Sequence, residues 1–326
     1  MLSQVHMAPM RHGALYMQVF QIRLPSMSGR THSIPIDNPF RAILFMIAAG
    51  LLNTVMLSAI KQLSEELHAF EIAFFRCLVG FMVLLPMVWQ TGGVMVLRTK
   101  RIGRHVLRSA LNAGGMLLFF WAISLAPLAT VSAIGFASPL FAALLAIPIL
   151  GEKVGLRRWS GLIIGFIGTI IILRPGAGIV DLGALLALFS SILWAGAMIT
   201  IKQLTSTETP LSITTWASLF VGIFCLGPAV YVWQWPTAEQ CIWLALIGTL
   251  GSAIQFCFAK AFSLADTTVV LPFDFLKLVW ASLFGFVLFA EIPDPWVWVG
   301  GTIIFASAVY VAYRERVKRQ SQSQSS

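Results

Sequence analysis

Residues 267–290 have the sequence TTVVLPFDFLKLVWASLFGFVLFA, in which Asp274 and Lys277 are the only charged side chains. The other positions are about as apolar as lipid, and a run of this length can cross a hydrocarbon core of about 30 Å as a helix. The two charges are three residues apart, so they share one helix face. Each would cost about 2.5–3.5 kcal/mol at mid-bilayer, which predicts a spanning helix whose ionic pair faces a cavity or is mutually neutralised.

The rest of the chain has the same character. Of its 326 residues, 58% are hydrophobic and 11% are charged, and the mean hydropathy is +0.85. Soluble domains are about 45–50% apolar and about 25% charged, so the composition indicates an integral membrane protein. The apolar runs do not alternate with polar residues as barrel strands do, which predicts an all-α membrane protein. Ten spans are predicted at about 42–62, 70–90, 106–125, 128–149, 157–173, 181–203, 212–233, 240–262, 267–290 and 296–313.

The Lys and Arg residues are unevenly distributed between the loops on the two sides of the membrane. If the N-terminus is cytoplasmic, seventeen of the 22 Lys and Arg residues fall in cytoplasmic segments, and only Lys61 and Arg174 fall outside. This bias predicts that both termini are cytoplasmic. It also explains the net charge of +9 without nucleic acid. The lipid bilayer is the expected surrounding, and a homo-oligomer is left open.

Short matches recur at a nearly constant offset. KQL ends the first run at Lys61–Leu63 and the sixth at Lys202–Leu204, 141 residues later. At an offset of 139, AISLA (122–126) matches AFSLA (261–265). Glu152, Trp159 and Gly161 match Glu291, Trp298 and Gly300 at the same offset. Five helices per unit predict two inverted repeats, at 41–175 and 181–313, an arrangement typical of secondary transporters.

The flanking segments differ from the repeats. Residues 1–40 form a mixed N-terminal extension that lacks a clear cleavage site, and Met27 is an alternative start. Residues 314–326 are basic and then polar, which predicts a disordered tail.

Four stretches carry a resemblance to a known family. They are FEIAFFR (70–76), ASPLFAALLAIPILGEK (137–153), WSGLIIGFIGTIIIL (159–173) and FAEIPDPWVWVGGTIIFAS (289–307). Over residues 40–313 the chain resembles the EamA family of the drug/metabolite transporter superfamily. The resemblance implies ten helices in two inverted repeats around a central cavity. HAFEIAFFR and LPFDFLKLVW resemble bacterial riboflavin and S-adenosylmethionine uptake carriers most closely.

Asp274 and Lys277 are the first candidates for the translocation path. At an offset of 139 they correspond to Gly135 and Ser138, so the pair exists in one repeat only. An asymmetric substrate requires such an asymmetry, whereas a pair that only packs the ninth span is the alternative. Pro272 frees a carbonyl one turn earlier, as is common in helices that line cavities.

The other candidates are less decisive. Lys260 either lines the path or extends to the interface. Arg76 either binds or gates, or it pairs with Glu71 or extends to the interface. Phe273, Trp121 and Trp194 lie on helices that, by the resemblance, face the cavity, where a flat heteroaromatic ring would stack on them. Packing is the alternative for each aromatic residue.

Other polar and small residues are expected to be structural. Glu152 and Glu291 occur in both repeats, which favours a contact at a helix end or loop. Gly161, Gly165 and Gly168 form a small-residue stripe for close helix packing. The four cysteines lie in apolar runs without CxxC spacing or a companion His, so neither a disulfide nor a metal is predicted.

No catalytic or nucleotide-binding motif is found, and neither an enzyme nor a cofactor is expected. The prediction is a secondary transporter of a small organic metabolite. Uptake of riboflavin across a bacterial inner membrane is the leading expectation from the resemblance. Transport of S-adenosylmethionine, an amino acid or another metabolite, in either direction, is the alternative. A membrane hydrolase and a scaffold that does not transport are the other classes considered.

Overall fold

The computed structural model describes residues 39–91, 99–151, 156–174, 181–204, 208, 210–264, 270 and 273–324. The secondary structure of these residues is entirely helical. In chain order the helices are α1 (Pro39–Leu63), α2 (Ala69–Thr91), α3 (Ile102–Leu125), α4 (Leu128–Gly135), α5 (Ser138–Leu150), α6 (Leu156–Leu173), α7 (Leu182–Leu204), α8 (Pro210–Tyr231), α9 (Ala238–Leu264), α10 (Leu276–Phe289) and α11 (Pro295–Gln324).

Each predicted span coincides with a helix or a pair of helices. Six helical stretches are long and apolar enough to cross a membrane: Phe40–Leu63, Ile102–Leu125, Leu128–Leu150, Leu182–Leu204, Ser212–Tyr231 and Ala238–Phe258. Trp159–Leu173, Leu276–Phe289 and Pro295–Val311 are apolar but shorter. The all-helical membrane class is therefore confirmed. Ten crossings, the inversion of the repeats and the sides of the termini stay predictions.

Two spans predicted to be continuous are broken. The fourth is interrupted at Phe136 and Ala137, between α4 and α5. The ninth is interrupted by a turn at Phe275, immediately before α10. These positions correspond at the offset of 139, so both halves of the chain break their helix at the same place. Ser191 on α7 contacts the first break, because its hydroxyl donates to Ile134 O at 3.1 Å, a carbonyl that also accepts from the Ala137 N–H.

Both broken helices also end alike. Gly151, after α5, has a φ of 66°, and Ala290, after α10, has a φ of 53°. Both values lie in the left-handed region that commonly ends a helix. Glycine is suited to it, whereas the Cβ of Ala290 makes the same turn strained.

The small-residue stripe on α6 lies against α11. A Cβ added at Gly168 would be 2.8 Å from Gly300 O, and one added at Gly161 would be 2.9 Å from Val311. The Ser307 hydroxyl donates across the same interface to Gly161 O. The predicted close packing of this stripe is confirmed.

The remaining helices pack in neighbouring pairs. α7 packs along α3, and α9 packs along α1. α3 and α9 do not share an extensive interface within the described residues, whereas α2 contacts both of them. Side chains of α2 can therefore reach both α3 and α9.

The C-terminal segment differs from its prediction. α11 continues to Gln324, although residues 314–326 were expected to be disordered. Arg, Glu, Lys and Gln are good helix formers, and the apolar part of α11 supplies the nucleus from which the helix continues. The four cysteines are free thiols, as expected. Residues 1–38 and Glu152 lie outside the described residues.

Candidate functional site

The Asp274–Lys277 pair lies at the break before α10. Lys277 Nζ forms an ion pair with Asp274 Oδ1, and the two side chains are 19% and 17% exposed. Lys277 Nζ also lies 4.5 Å from the centre of the Phe258 ring on α9. Gly50 on α1 makes room for the lysine stem, because a Cβ there would be 3.3 Å from Lys277 Cγ. The pair is therefore enclosed by α1 and α9 instead of being directed to lipid.

The predicted contact between the two charges is thus observed. Mutual neutralisation explains how they are tolerated in an apolar helix. An ion pair beside an aromatic ring can also exchange partners with a charged ligand, so the geometry is compatible with both a packing role and a transport role. Substrate contact at Asp274 and Lys277 stays a prediction.

Arg76 lies on α2 and extends between α3 and α9. Its Nη1 lies 3.3 Å from Met116 Sδ, and its guanidinium carbon is 5.9 Å from the centre of the Phe120 ring. A Cβ at Gly251 on α9 would be 3.3 Å from both Nε and Nη2. The Arg76 guanidinium therefore lies between α3 and α9, two helices that do not share an extensive interface.

The alternative pairing of Arg76 with Glu71 is wrong. Glu71 is fully buried, and its Oε1 accepts a hydrogen bond of 2.6 Å from the backbone N–H of Gln234. Residues five apart lie about 140° apart around a helix, so the two side chains leave α2 in different directions. Glu71 ties α2 to the segment after α8 and leaves Arg76 unneutralised.

The aromatic candidates have packing partners. Phe273 joins a small apolar cluster with Phe45, Phe258 and Val270. Trp121 contacts Phe70 edge to face, with ring centres 5.8 Å apart.

Trp194 lies against Phe119 at 4.8 Å and covers Gly115, where a Cβ would be only 2.7 Å from the indole. Its main contact is the α3–α7 interface. Lys260 is half-buried near the end of α9. Roles for these aromatic residues and for Lys260 in the path stay predictions.

Sequence reasoning did not find a phenylalanine cluster, formed by Phe136, Phe275 and Phe305. The Phe136 and Phe275 rings are 6.0 Å apart, and Phe305 lies 5.7 and 4.8 Å from them. The cluster joins the two helix breaks to α11. The signal was present in the chain, because Phe136 and Phe275 are identical residues at the offset of 139.

A clasp closes one end of the bundle, formed by Lys61, Ala126, Leu128 and Glu291. Lys61 Nζ forms an ion pair with Glu291 Oε1 and donates to Ala126 O at 2.8 Å. The Leu128 N–H donates to Glu291 Oε2 at 2.9 Å. The predicted contact of Glu291 at a loop is confirmed. It joins the end of α1, the α3–α4 connection and the end of α10.

These features define a class: a multi-pass helical membrane protein with charged groups held between helices in its interior and breaks at matching positions of two spans. Within that class, the EamA-like transporter family matches residues 40–174 and again residues 181–313. The chain belongs to this family and is a transporter of small metabolites.

Relatives that are named as transporters match most of the chain. An S-adenosylmethionine uptake transporter of Rickettsia prowazekii is 32% identical over 86% of this chain and 95% of its own. A riboflavin transporter of Vibrio cholerae is 33% identical over 86% and 96%. The pseudopaline exporter CntI of Pseudomonas aeruginosa is 25% identical over 82% and 94%.

A solved crystal structure shares the fold. It has a TM-score of 0.59 and 18% identity, and the match covers 84% of this chain and 98% of that one.

Proposed function

We propose that this protein is an uptake carrier for a small heteroaromatic metabolite in a bacterial cytoplasmic membrane, and that it works by alternating access between its two halves. Alternating access requires that one end of the path be closed while the other is open. The clasp at Lys61 and Glu291 is the observation that carries this proposal.

The clasp has the properties of a closure that can open. Its ion pair is partly buried, with side chains 16% and 14% exposed, so water can replace the contacts when the helices separate. It joins α1 of the first half to the end of α10 in the second half. Movement of one half against the other would therefore have to break it.

The opposite end of α1 borders open space. A depression of about 460 Å³ lies beside Arg41, Leu44, Phe45 and Ala48 in the first turns of the helix. Lys61 is about 20 Å from Ala48 along the helix axis, at a rise of about 1.5 Å per residue. One end of α1 is fastened by the clasp and the other borders an open surface depression, and we propose that these are the closed and open sides of one stage of the cycle.

Two substrates are candidates, and different observations favour them. Relatives named riboflavin transporters and the aromatic side chains of α3, including Phe120 and Trp121, favour a flavin ring that stacks. Relatives named S-adenosylmethionine uptake transporters, together with Arg76 and Asp274, favour a zwitterionic cargo. The direction of transport, inward, is also a proposal, because one relative is named an exporter.

The energy source is expected to be a gradient, because the sequence contains no Walker A motif. Uniport and proton coupling are the two forms. Asp274 is the carboxyl that we propose as proton carrier if transport is coupled, because its Lys277 partner could be exchanged for a proton.

The test is uptake of labelled riboflavin and labelled S-adenosylmethionine by bacterial cells that lack their own importers. We expect time-dependent, saturable uptake of one of them that requires this protein. Growth rescue of a riboflavin auxotroph at low external riboflavin tests riboflavin uptake by an independent method. Absence of uptake of both compounds, with the protein shown to be in the membrane, would contradict the proposed substrates.

Lys277→Ala separates a carrier from a scaffold in the same cells. Loss of uptake at normal membrane abundance supports transport through this protein. Retained uptake would remove Lys277 from the path.

A further inference from the structure

Arg76 carries a charge that the described residues leave without an anionic partner. Its recorded contacts include the thioether of Met116, the ring of Phe120, the adjacent Cys77 thiol and the surface at Gly251. Its Nε is shielded from solvent and has no hydrogen-bond partner within the described residues. The carboxylate nearest to it in the sequence, Glu71, is engaged elsewhere.

The existing contacts do not neutralise the guanidinium. A thioether sulfur is a weak acceptor, and the ring lies close to the outer limit of about 6 Å for a cation–π contact. A guanidinium keeps its charge at all physiological pH values and offers five donors in a fixed fork. Such a group in a low-dielectric bundle gains most from a carboxylate or phosphate that binds to two of its donors.

A structural role for Arg76 would be expected to recur in the other half. At the offset of 139 the corresponding residue is Thr215, and at 141 it is Ala217. The cation is therefore a property of one half, as is the Asp274–Lys277 pair. Scaffold features, such as the helix breaks and the left-handed helix ends, occur in both halves.

Arg76 and Lys277 are directed at the same face of α9. Arg76 contacts this helix at Gly251, and Lys277 contacts it at Phe258, which is two turns away. The separation is about 10 Å along the helix axis. Gln255 lies between them on the same face and is exposed. Arg76 and the Asp274–Lys277 ion pair thus lie along one face of α9, with the Gln255 amide between them.

We propose that Arg76 binds the oxyanion of the transported metabolite, and that the substrates of this carrier therefore bear a carboxylate or a phosphate. This inference rests on the proposed transport function and narrows its substrate class. S-adenosylmethionine has a carboxylate on its amino-acid moiety, whereas riboflavin has no group that is anionic at neutral pH. An acid-bearing substrate is accordingly ranked ahead of riboflavin.

The first test does not depend on transport. The purified full-length chain is treated with 4-hydroxyphenylglyoxal, which modifies guanidinium groups, and modification at Arg76 is followed by peptide mass spectrometry. Arg104, which is exposed, is the internal control. The probes are two matched pairs: flavin mononucleotide with riboflavin, and S-adenosylmethionine with 5′-methylthioadenosine. The first member of each pair has the oxyanion, and the second lacks it.

We expect the oxyanion-bearing member of one pair to slow modification of Arg76 about tenfold, in keeping with a charge-assisted hydrogen bond, while the member without the oxyanion has little effect. The pair that responds tells a phosphate from a carboxylate. The rate at Arg104 should not change. Modification of Arg76 that none of the four probes slows would overturn the inference, as would an Arg76 that stays unmodified while Arg104 reacts.

The second test uses proteoliposomes and separates this inference from the proposed function. Arg76→Gln should weaken the apparent affinity for the acid-bearing substrate about 10- to 100-fold, and Arg76→Lys should fall between that variant and the wild type. Arg104→Gln is the matched control, and melting temperature reports on folding.

Different results would contradict the anion site at Arg76 and the proposed transport function. Wild-type uptake of riboflavin alone, with the same KM in Arg76→Gln, would overturn the anion site and leave the transporter intact. Protection of Arg76 by an anion without uptake of any probe would support the anion site and contradict the proposed transport.

Discussion

Phe136 and Phe275 are 139 residues apart in the chain, and their rings meet inside the bundle with centres 6.0 Å apart. Each is the residue at which its helix breaks. The contact therefore joins equivalent points of the two halves. Phe305 completes the cluster from α11, so a change at either break is transmitted to a third helix.

The Phe136–Phe275 contact is expected to couple the two halves energetically. Phe136→Leu and Phe275→Leu should be non-additive by about 0.5–1.5 kcal/mol in a double-mutant cycle on unfolding in detergent. Both variants should also slow uptake, because the breaks are where the halves meet.

Phe141 and Phe166 provide the matched control, since their rings are 5.0 Å apart and both belong to the first half. That pair should show similar coupling in stability and little effect on uptake. Equal effects of both pairs on uptake would argue against a special role of the breaks.

The clasp is expected to matter more than an ordinary surface ion pair. Glu291→Ala removes the partner of Lys61 and the acceptor of the Leu128 N–H, and it should cost about 1–3 kcal/mol of stability. Glu291→Gln retains an acceptor oxygen and should cost less. Thermal unfolding of the purified variants gives the comparison.

Arg174 and Asp294 form the control pair. Their side chains are 36% and 44% exposed, so Arg174→Met, which leaves the hydrogen bond from the Trp296 N–H to Asp294 intact, should cost less than about 1 kcal/mol. Cysteines at positions 61 and 291 provide a functional test. Oxidation to a disulfide should stop uptake and reduction should restore it, whereas uptake that persists in the cross-linked protein would show that this end stays closed throughout transport.

Substitutions at the two left-handed helix ends, Gly151 and Ala290, are expected to change the stability of the protein in opposite directions. Gly151→Ala should destabilise the protein by about 1 kcal/mol, because it puts a Cβ where the backbone disfavours one. Ala290→Gly should stabilise it by up to about 1 kcal/mol, since it removes that strain at the corresponding position. Melting temperatures of both variants check the prediction, and a loss of stability in Ala290→Gly would contradict it.

Most of the helices could be predicted from the sequence. A helix that crosses a bilayer must be a long apolar run, however the helices pack against one another. The contact of Asp274 with Lys277 could be predicted for a local reason, the spacing of three residues. The break at Phe136 could not, because hydropathy does not change there. Only the matching Phe275 and the nearby Pro272 indicate a break, and their meaning depends on how the halves pack.

Contacts between distant segments were beyond sequence reasoning for a related reason. Glu71 binds the Gln234 N–H, and Glu291 binds Lys61; each contact joins segments far apart in the chain. Helical periodicity does not encode such partners. Among the described residues, the absence of a carboxylate beside Arg76 depends on the first of these contacts. The sequence could therefore name Arg76 as a candidate but could not show that Glu71 is engaged elsewhere.

The Asp274–Lys277 pair permits a test that separates packing from transport. Lys277→Met or Asp274→Asn alone leaves one charge unpaired between α1 and α9, and it should destabilise the protein by about 2–4 kcal/mol after allowance for partial exposure. The double variant Asp274→Asn/Lys277→Met removes both charges and should recover most of that stability. If the pair only packs α10, uptake should recover with stability. If it contacts substrate, uptake should stay lost in a well-folded protein, and this is the result that we expect.

Cysteines at 274 and 277 supply the second measurement: they should react with small water-soluble thiol reagents, and substrate should slow the reaction. Inert thiols at both positions, together with normal uptake in the double variant, would assign the pair to packing.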